Sequence, residues 1–301
     1  MAGDDLSVVV VDASSNLGLS PPGEGREPGV RGLASALRER GIVTRLGAED
    51  GGGVVPPPYS PEIEPATGTR NGEAIRSFSV DLAERVGKVV GSGRFPLVLG
   101  GDCSILVGSM LALRRIGRFG LAFVDGHLDF RHPGNSARFG AAAGEDLALV
   151  TGRGSERLTN IEDLRPLVRE EDVFALGDRE DYPEWRDIHG TGITVWDLRT
   201  LKTLGFDEAA SRAVEALRMD GVEGFWIHLD ADVLDDELMP AVDSRQPGGM
   251  NYGELVELLG AFLRSGLAVG MEVTIFDPEL DPTGEIAEGF TAALVESFSV
   301  R

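Results

Sequence analysis

Short apolar segments alternate with longer amphipathic segments along almost the whole chain, and this alternation constrains the fold more than any other feature. Several of the short segments are apolar nearly throughout, as expected for parallel strands buried on both faces. The candidate strands are Leu6–Val11, Val43–Leu46, Phe95–Leu99, Leu121–Val124, Val173–Leu176, Thr194–Trp196, Phe225–Leu229 and Val269–Ile275. The alternation predicts an α/β fold, in which helices cover both faces of a doubly wound, mostly parallel sheet.

The segments between these strands carry helix signals. In Asn71–Val90, apolar residues recur at spacings of three and four, which is typical of one face of a helix. Asn251, followed three residues later by Glu254, resembles a capping box at the start of another helix. Two segments rich in glycine and proline, Gly18–Gly29 and Gly51–Pro65, are interpreted as loops within one domain that covers residues 1–301.

Charge and cysteine content exclude several classes of function. The chain has 301 residues, with 28 Lys+Arg against 50 Asp+Glu and a net charge of −22. Nucleic acids and anionic membrane surfaces require clustered basic residues, so neither is an expected partner. Cys103 is the one cysteine, which precludes an internal disulfide and favours a reducing compartment. No secretory signal or apolar run of membrane-spanning length is present, so we expect a soluble, cytoplasmic protein.

Three predicted strands run directly into segments rich in potential metal ligands. These segments are 100–104 (Gly-Gly-Asp-Cys-Ser), 125–129 (Asp-Gly-His-Leu-Asp) and 230–232 (Asp-Ala-Asp). In open α/β sheets, ligands bind beyond the carboxyl ends of the strands. We therefore expect the three segments to converge at one edge of the sheet.

The spacing within these segments indicates what they could bind. Asp125, His127 and Asp129 alternate, as do Asp230 and Asp232, and alternate residues of an extended segment share one face. Five such side chains at one edge could hold two divalent cations, since unpaired buried carboxylates are very costly. One Asp-x-Asp pair alone is more often a solvated turn, but three such segments in this order favour a metal site.

The three segments resemble the signature motifs of the arginase/agmatinase (ureohydrolase) family, in the same order and at similar spacing. That family has Gly-Gly-Asp-His-Ser, Asp-Ala-His-x-Asp and Asp-x-Asp-x-x-Asp-Pro motifs. The match continues through segments 240–244 (Pro-Ala-Val-Asp-Ser) and 247–249 (Pro-Gly-Gly) to Glu272 and Asp277-Pro278, and so covers essentially the whole chain. The resemblance implies an α/β hydrolase that forms trimers or hexamers. Its binuclear manganese centre would cleave a small guanidino, amidino or amide-like compound at a C–N bond.

The resemblance also implies a set of metal ligands. One metal would be held by Cys103, Asp125, Asp129 and Asp230, and the other by His127, Asp125, Asp230 and Asp232. Asp125 and Asp230 would bridge the two metals. A metal-bound hydroxide would attack the substrate carbon, with Asp129 as the catalytic residue that orients it. Supporting hydrogen bonds are expected from Asp102, Ser104, Asp235 and Glu272.

Cys103 departs from the family pattern because it stands where a metal-binding histidine is usual. A thiolate suits Zn²⁺ or Fe²⁺ better than Mn²⁺, so zinc or iron becomes a possible cofactor in place of manganese. A related branch that forms hydroxyurea from hydroxyarginine also carries cysteine there, so the change is compatible with activity. The alternative is that Cys103 is only a small buried residue at a strand–helix junction.

Two further departures concern the substrate and the proton. Ile275 stands where the family has a glutamate that binds the substrate guanidinium, and Ala143 stands where it has a proton-shuttling histidine. His132 lies nearby and is a candidate catalytic proton carrier, although a solvated loop histidine is the favoured interpretation. His189 and His228 are interpreted as structural.

The candidate substrate-binding residues are Arg131, Ser244 and Arg245. Arginines beside the pocket and a missing glutamate would suit a carboxylate better than a cationic guanidinium. The alternative is that both arginines pair with the many surplus carboxylates of the chain.

Two functions remain open from the sequence. Retention of the metal ligands favours an active metallohydrolase, assembled as a homo-oligomer, that acts on a small molecule. Loss of the glutamate and the histidine favours a degenerate family member that binds a metal or metabolite and acts as a regulatory or assembly subunit.

Overall fold

The computed structural model describes residues 6–137, 139–179, 185–218 and 220–299. Its strands are β1 Val8–Asp12, β2 Glu49–Gly53, β3 Phe95–Leu99, β4 Gly120–Val124, β5 Val173–Leu176, β6 Thr194–Trp196, β7 Phe225–Asp230 and β8 Ala268–Thr274. Its helices are α1 Leu33–Glu39, α2 Ile42–Leu46, α3 Gly72–Gly91, α4 Leu106–Arg114, α5 Asp146–Val150, α6 Glu156–Thr159, α7 Trp185–Ile188, α8 Leu198–Leu204, α9 Phe206–Leu217, α10 Tyr252–Arg264 and α11 Glu285–Ser299.

The strands form one sheet in the order β2-β1-β3-β8-β7-β4-β5-β6, and every neighbouring pair is parallel. Successive side chains of β1 enter opposite cores: Val8 and Val10 pack with α1, α2 and α8–α11, whereas Val9 and Val11 pack with α3–α6. Strands buried on both faces need apolar residues at every position, which explains the continuous apolar runs. The predicted doubly wound α/β fold is therefore confirmed.

The predicted strand Val43–Leu46 is wrong, because these residues belong to helix α2. Gly41 and Gly47, at φ +77° and +61°, lie just outside α2, so that a single helical stretch fits between two left-handed turns. The edge strand is instead β2, within the glycine-rich segment interpreted as a loop. Its backbone pairs with β1 although its side chains are mostly exposed, so no apolar pattern marked it.

The helix signals were read correctly at two places. Helix α3 begins one residue after Asn71 and buries the predicted apolar face. At the start of α10, the Asn251 side chain accepts the Glu254 N–H and the Glu254 side chain accepts the Asn251 N–H, which confirms the capping box. Among the described residues, no helix combines the length and the apolar character needed to cross a bilayer.

Four central strands bring their carboxyl ends to the same level. The register places Val273 of β8 beside both Leu99 of β3 and Leu229 of β7, and places Leu229 beside Val124 of β4. The segments that follow these strands therefore start from one edge of the sheet.

Candidate metal centre

The first polar segment turns sharply as it leaves β3. A side chain at Gly101 has no room, because a Cβ atom there would lie 1.6 Å from the carbonyl oxygen of Ser15. The Asp102 carboxylate accepts the Ser15 hydroxyl at 2.8 Å and the Ser104 N–H at 2.9 Å. These contacts fix the single 3-10 turn that begins at Cys103, whose side chain is fully buried.

One group of potential ligands consists of Cys103, His228 and Asp230, whose donor atoms all lie within 4.8 Å of one another. The Cys103 thiol donates to Asp230 Oδ2 at 2.9 Å, and its sulfur lies 3.2 Å from Thr274 Oγ1. Asp230 Oδ1 accepts the N–H of Asp232 at 2.7 Å, which fixes the carboxylate at the end of β7. All three ligand side chains are buried.

A second group consists of Asp125, His127 and Asp232. His127 Nδ1 lies 2.9 Å from Asp232 Oδ2, and Asp125 Oδ1 accepts the backbone N–H of His127 at 2.7 Å. Asp232 Oδ1 accepts the N–H of Gly126 at 3.2 Å, which joins the β4 segment to the β7 segment. The structure thus brings together the residues that the Asp-x-His and Asp-x-Asp patterns predicted to converge.

Asp129 lies beside these groups at the wall of a cavity of roughly 390 Å³. Its backbone adopts φ +42°, a left-handed conformation that few residues other than glycine occupy. The cavity is also lined by His127, Asp230 and Asp232, so members of both ligand groups face one space. A small molecule in this cavity would reach both groups.

Burial and mutual repulsion disfavour ionisation of these carboxyls in the absence of a cation. Desolvation raises the pKa of Asp125 to about 6, with a further contribution from the charge of Asp232. Desolvation, followed by the same neighbouring charge, raises the pKa of Asp230 well above its usual range. The pKa of Asp129 is also raised, by desolvation and by the charge of Asp125, and burial raises the pKa of the Cys103 thiol.

The residues present fit divalent cations. Asp125 Oδ2 is buried and has no hydrogen-bond partner, although the other oxygen of the same carboxylate is bonded. An unpartnered buried oxygen among desolvated carboxylates is costly, and a cation removes that cost. Carboxylate, imidazole and thiolate are also the side chains that bind Zn²⁺, Fe²⁺ and Mn²⁺ in proteins.

Of the predicted substrate-binding residues, Arg131 and Ser244 line the cavity, and Arg245 is not among its lining residues. The Arg245 guanidinium instead approaches Asp236 at 3.4 Å on the surface. Among the residues that the structure describes, Arg131 has no carboxylate within ion-pair distance. Burial raises the pKa of both Asp129 and Glu145 and the charge of Arg131 opposes that rise, so Arg131 brings positive charge to the wall of the cavity.

His132 lies outside the lining of the cavity. Its Nε2 atom is 3.4 Å from Asp187 Oδ2, its Nδ1 atom accepts the Gly134 N–H at 3.0 Å, and its ring packs edge-on against Phe130. Desolvation lowers its pKa. His132 is thus a partly buried residue with partners of its own rather than a solvated loop histidine, and nothing places it beside the ligand groups.

The two positions at which this chain lacks a functional side chain of the resembled family, 275 and 143, both face the cavity. Ile275 and Ala143 line it, so an apolar side chain and a methyl group stand where a carboxylate and an imidazole were expected from the resemblance. Ile275 has φ +74°, an uncommon and strained conformation for a β-branched residue. Such strain marks a position that the surrounding structure holds in place.

Two buried residues close to the ligand groups were not predicted from the sequence to have a role in the site. His228 was interpreted as structural and Asp146 was not considered, yet His228 Nε2 and Asp146 Oδ2 lie 3.9 Å apart. Neither atom has a hydrogen-bond partner. The alternation of His228 with Asp230 was a signal for the first residue, whereas no motif marks Asp146.

Comparison with known proteins agrees with this geometry. The family model "Arginase family" matches residues 33–300. An arginase of Brevibacillus brevis is 30% identical over 256 residues, which are 82% of this chain and 84% of that protein. An arginase of Staphylococcus aureus (strain COL) is 29% identical over 272 residues, or 87% of this chain and 89% of that protein.

A solved structure shows the same architecture. The native structure of arginase from Bacillus caldovelox superimposes with a TM-score of 0.87 at 26% identity, over 97% of this chain and 98% of that one. Members of the matched family are hydrolases that act on C–N bonds of non-peptide substrates. With the match spanning most of the sequence and the ligand residues meeting at one sheet edge, this chain belongs to the arginase family of metal-dependent hydrolases.

Proposed function

We propose that this protein uses two divalent cations to hydrolyse a C–N bond of a small guanidino, amidino or amide-like compound that carries a carboxylate. The observation that supports this most is that one cavity is lined by members of two ligand groups, Cys103/His228/Asp230 and Asp125/His127/Asp232. The residues proposed as metal ligands are Cys103, Asp125, His127, Asp129, Asp230 and Asp232.

Bound cations would supply Lewis-acid polarisation of the substrate and acidify a water molecule. The chain's own residues then have three tasks. Asp129, at the cavity wall beside the ligand groups, orients the attacking water by accepting a hydrogen bond from it. Asp125 and Asp230 anchor the two ligand groups, and the buried surroundings exclude bulk water from them.

The substrate side of the cavity favours a carboxylate over a guanidinium. Arg131 and Ser244 can donate hydrogen bonds to a carboxylate, and the pairing of arginine with carboxylate is strong and directional. The apolar Ile275 offers nothing to a cationic group at the place where the family has a glutamate. The reactive C–N group of the substrate is therefore expected to be neutral or only weakly basic.

The metal is proposed to be zinc or iron, at least on the side of Cys103. Manganese is the expectation from the family resemblance, but a thiolate ligand favours softer ions. The oligomer is proposed to be a trimer or hexamer of identical single-domain chains in the cytoplasm. Mass photometry of the purified protein measures that state directly.

A metal analysis followed by a product screen tests the function. The purified protein is loaded in turn with Mn²⁺, Zn²⁺ and Fe²⁺ and assayed for urea, ammonia or amide release from guanidino, ureido and amidino acids. Their decarboxylated counterparts serve as matched controls. We expect release from at least one carboxylate-bearing compound, and its loss in Asp232→Asn and Asp125→Asn.

The alternative function is a degenerate subunit that binds a metal or metabolite without turnover. It is favoured by Ile275 and Ala143, which stand in the cavity at the positions of two functional side chains. Metal binding at full stoichiometry without release of product from any compound would support this alternative and contradict the proposed hydrolase.

A further inference from the structure

The imidazole of His228 is held as metal-binding histidines are held. Its Nδ1 atom lies 2.7 Å from Glu272 Oε1, and the other oxygen of that carboxylate accepts the Ser109 hydroxyl at 2.5 Å. The Phe123 ring stacks on the imidazole with centroids 4.6 Å apart and planes 9° apart. A carboxylate on one ring nitrogen fixes the tautomer and leaves a lone pair on the other, which is the arrangement behind most metal-ligating histidines.

That second nitrogen, Nε2, faces another electron-pair donor. Asp146 Oδ2 lies 3.9 Å from it, too far for a hydrogen bond, and both atoms are buried without a hydrogen-bond partner. The other oxygen of Asp146 accepts the N–H of Leu147 at 2.8 Å, so the carboxylate is fixed in this direction. Two buried, unpartnered acceptor atoms 3.9 Å apart are unfavourable, and a cation bound by both removes that cost.

Cys103, in the turn after β3, and Asp230, at the end of β7, lie close to His228. The donor atoms of Cys103, His228 and Asp230 lie within 4.8 Å of one another, and the Cys103 sulfur is 2.9 Å from Asp230 Oδ2. In a tetrahedral zinc site with ordinary bond lengths, neighbouring ligand atoms are about 3.3 to 3.6 Å apart. The Cys103–Asp230 separation of 2.9 Å lies just below that range and the His228–Asp146 separation of 3.9 Å just above it.

We infer that His228 and Asp146, together with Cys103 and Asp230, bind one cation of the proposed metal centre. This inference rests on the metal-dependent function proposed above and changes its ligand set. The imidazole that the family supplies at position 103 is replaced by one from the middle of β7. Asp125 and Asp129 are then left to the second cation, with His127 and Asp232.

The donor set selects the metal. One thiolate, one imidazole and two carboxylates suit tetrahedral Zn²⁺, and Co²⁺ takes the same geometry. Mn²⁺ prefers more oxygen ligands and is disfavoured by the thiolate. Glu272 and Ser109 act as positioning residues, since they fix the ring rather than touch the cation.

Cobalt spectroscopy tests the inference without reference to activity. The metal-free protein is titrated with Co²⁺, and the thiolate-to-cobalt absorption and the intensity of the visible bands are recorded. Zn²⁺ affinity is measured by competition with a chromogenic chelator. We expect a thiolate band in the parent protein that is lost in Cys103→Ser, and Zn²⁺ binding at this site at least 100-fold weaker in His228→Ala and Asp146→Asn.

His189→Ala is the matched control, because His189 is exposed and belongs to neither ligand group, so both readouts are expected to stay unchanged. Ser109→Ala is expected to weaken Zn²⁺ binding less than His228→Ala while the thiolate band remains. Far-UV circular dichroism checks that each variant is folded. If His228→Ala does not fold, Asp146→Asn alone tests the inference. The asparagine keeps the shape of the aspartate side chain and can still accept the Leu147 N–H.

The outcomes separate this inference from the proposed function. Metal binding with an unchanged band and Zn²⁺ affinity within threefold in both His228→Ala and Asp146→Asn overturns the inference and leaves a metal-dependent hydrolase intact. A parent protein that binds no divalent metal overturns both. A loss of affinity in both variants, with the thiolate band shifted or weakened, supports the four-residue site.

Discussion

The sulfur of Cys103 lies 2.9 Å from Oδ2 of Asp230, and both side chains are buried at the carboxyl edge of the sheet. A thiol that donates to a carboxylate at this position exchanges its proton for a metal ion when one binds. The side chain at position 103 is therefore expected to influence which metal the site binds.

Replacing Cys103 with histidine is expected to raise the affinity for Mn²⁺, because imidazole is a harder ligand than thiolate. The measurement is the Mn²⁺ concentration at half-occupancy in Cys103→His and in the parent protein, with Cys103→Ser as the control for loss of the thiolate alone. Equal or weaker Mn²⁺ binding in a folded Cys103→His protein would mean that residue 103 is not a ligand.

Arginine and agmatine are expected to be poor substrates with any metal. A guanidinium that enters the cavity loses water and meets Ile275, and an unpaired buried charge costs several kcal/mol. Steady-state kinetics with excess Mn²⁺ measure this, and kcat/KM above roughly 10⁴ M⁻¹s⁻¹ for either compound would contradict it.

The Ile275→Glu variant extends that test. It introduces a carboxylate at the cavity wall and replaces a β-branched residue at φ +74°. We expect detectable guanidine hydrolysis in this variant if the metal centre is catalytically competent. Ile275→Gln is the matched control, because glutamine has the shape of glutamate without its charge. It is expected to stay inactive on guanidines.

Arg131 and Arg245 are expected to differ sharply in their effect on a carboxylate-bearing substrate. Arg131 lines the cavity, whereas Arg245 approaches Asp236 on the surface. Arg131→Gln is expected to lower kcat/KM about 10- to 100-fold, corresponding to the loss of a charge-assisted hydrogen bond. Arg245→Gln is expected to change it less than threefold, and equal effects of the two substitutions would contradict the proposed orientation of the substrate.

In the metal-free protein, ionisation of Asp125 is expected to lower the free energy of unfolding as the pH rises from 4 to 7. Burial raises the pKa of this carboxyl to about 6 in the folded state, above its unfolded value. The contribution to folding is complete below the unfolded pKa and is lost as the pH passes through the folded pKa. Asp125→Asn, which does not ionise, should gain stability relative to the parent protein across this range by up to about 3 kcal/mol.

Chemical denaturation in the presence of a chelator, at several pH values, gives that difference. The comparison with Asp125→Asn cancels the titration of groups elsewhere in the chain. A stability difference between the two proteins that does not change with pH would show that Asp125 titrates normally. Addition of Zn²⁺ to the parent protein should oppose the loss, because the cation binds the ionised carboxylate.

Gly101 and Gly87 are expected to respond in opposite directions to alanine. A Cβ atom at Gly101 would lie 1.6 Å from the Ser15 carbonyl oxygen, so Gly101→Ala should cost at least about 3 kcal/mol of unfolding free energy. Gly87 lies within α3 with nothing within 4 Å of its Cβ position, so Gly87→Ala should add about 0.5 to 1 kcal/mol. Urea denaturation of both variants measures this, and a stable Gly101→Ala protein would mean that the turn before Cys103 can move.

The sequence predicted those parts of the molecule that depend on local pattern. Continuous apolar runs marked the central strands, because strands covered on both faces need apolar side chains at every position. The pattern failed at the edge, where β2 is held by backbone hydrogen bonds to β1 and its side chains carry no signal. The alternation of candidate ligands that starts at Asp125 and at Asp230 could also be recognised from the sequence, because alternate residues of an extended segment share one face.

What the tertiary structure decided is which of these residues meet. Asp146 and His228 are distant in sequence and belong to no shared motif, yet the parallel register and the packing of α5 leave their unpartnered atoms 3.9 Å apart. The same packing brings Arg131 to the cavity wall and leaves Arg245 at the surface. Local pattern depends only on near neighbours along the chain, whereas a metal site and a substrate pocket depend on distances between segments that only the packed sheet and helices determine.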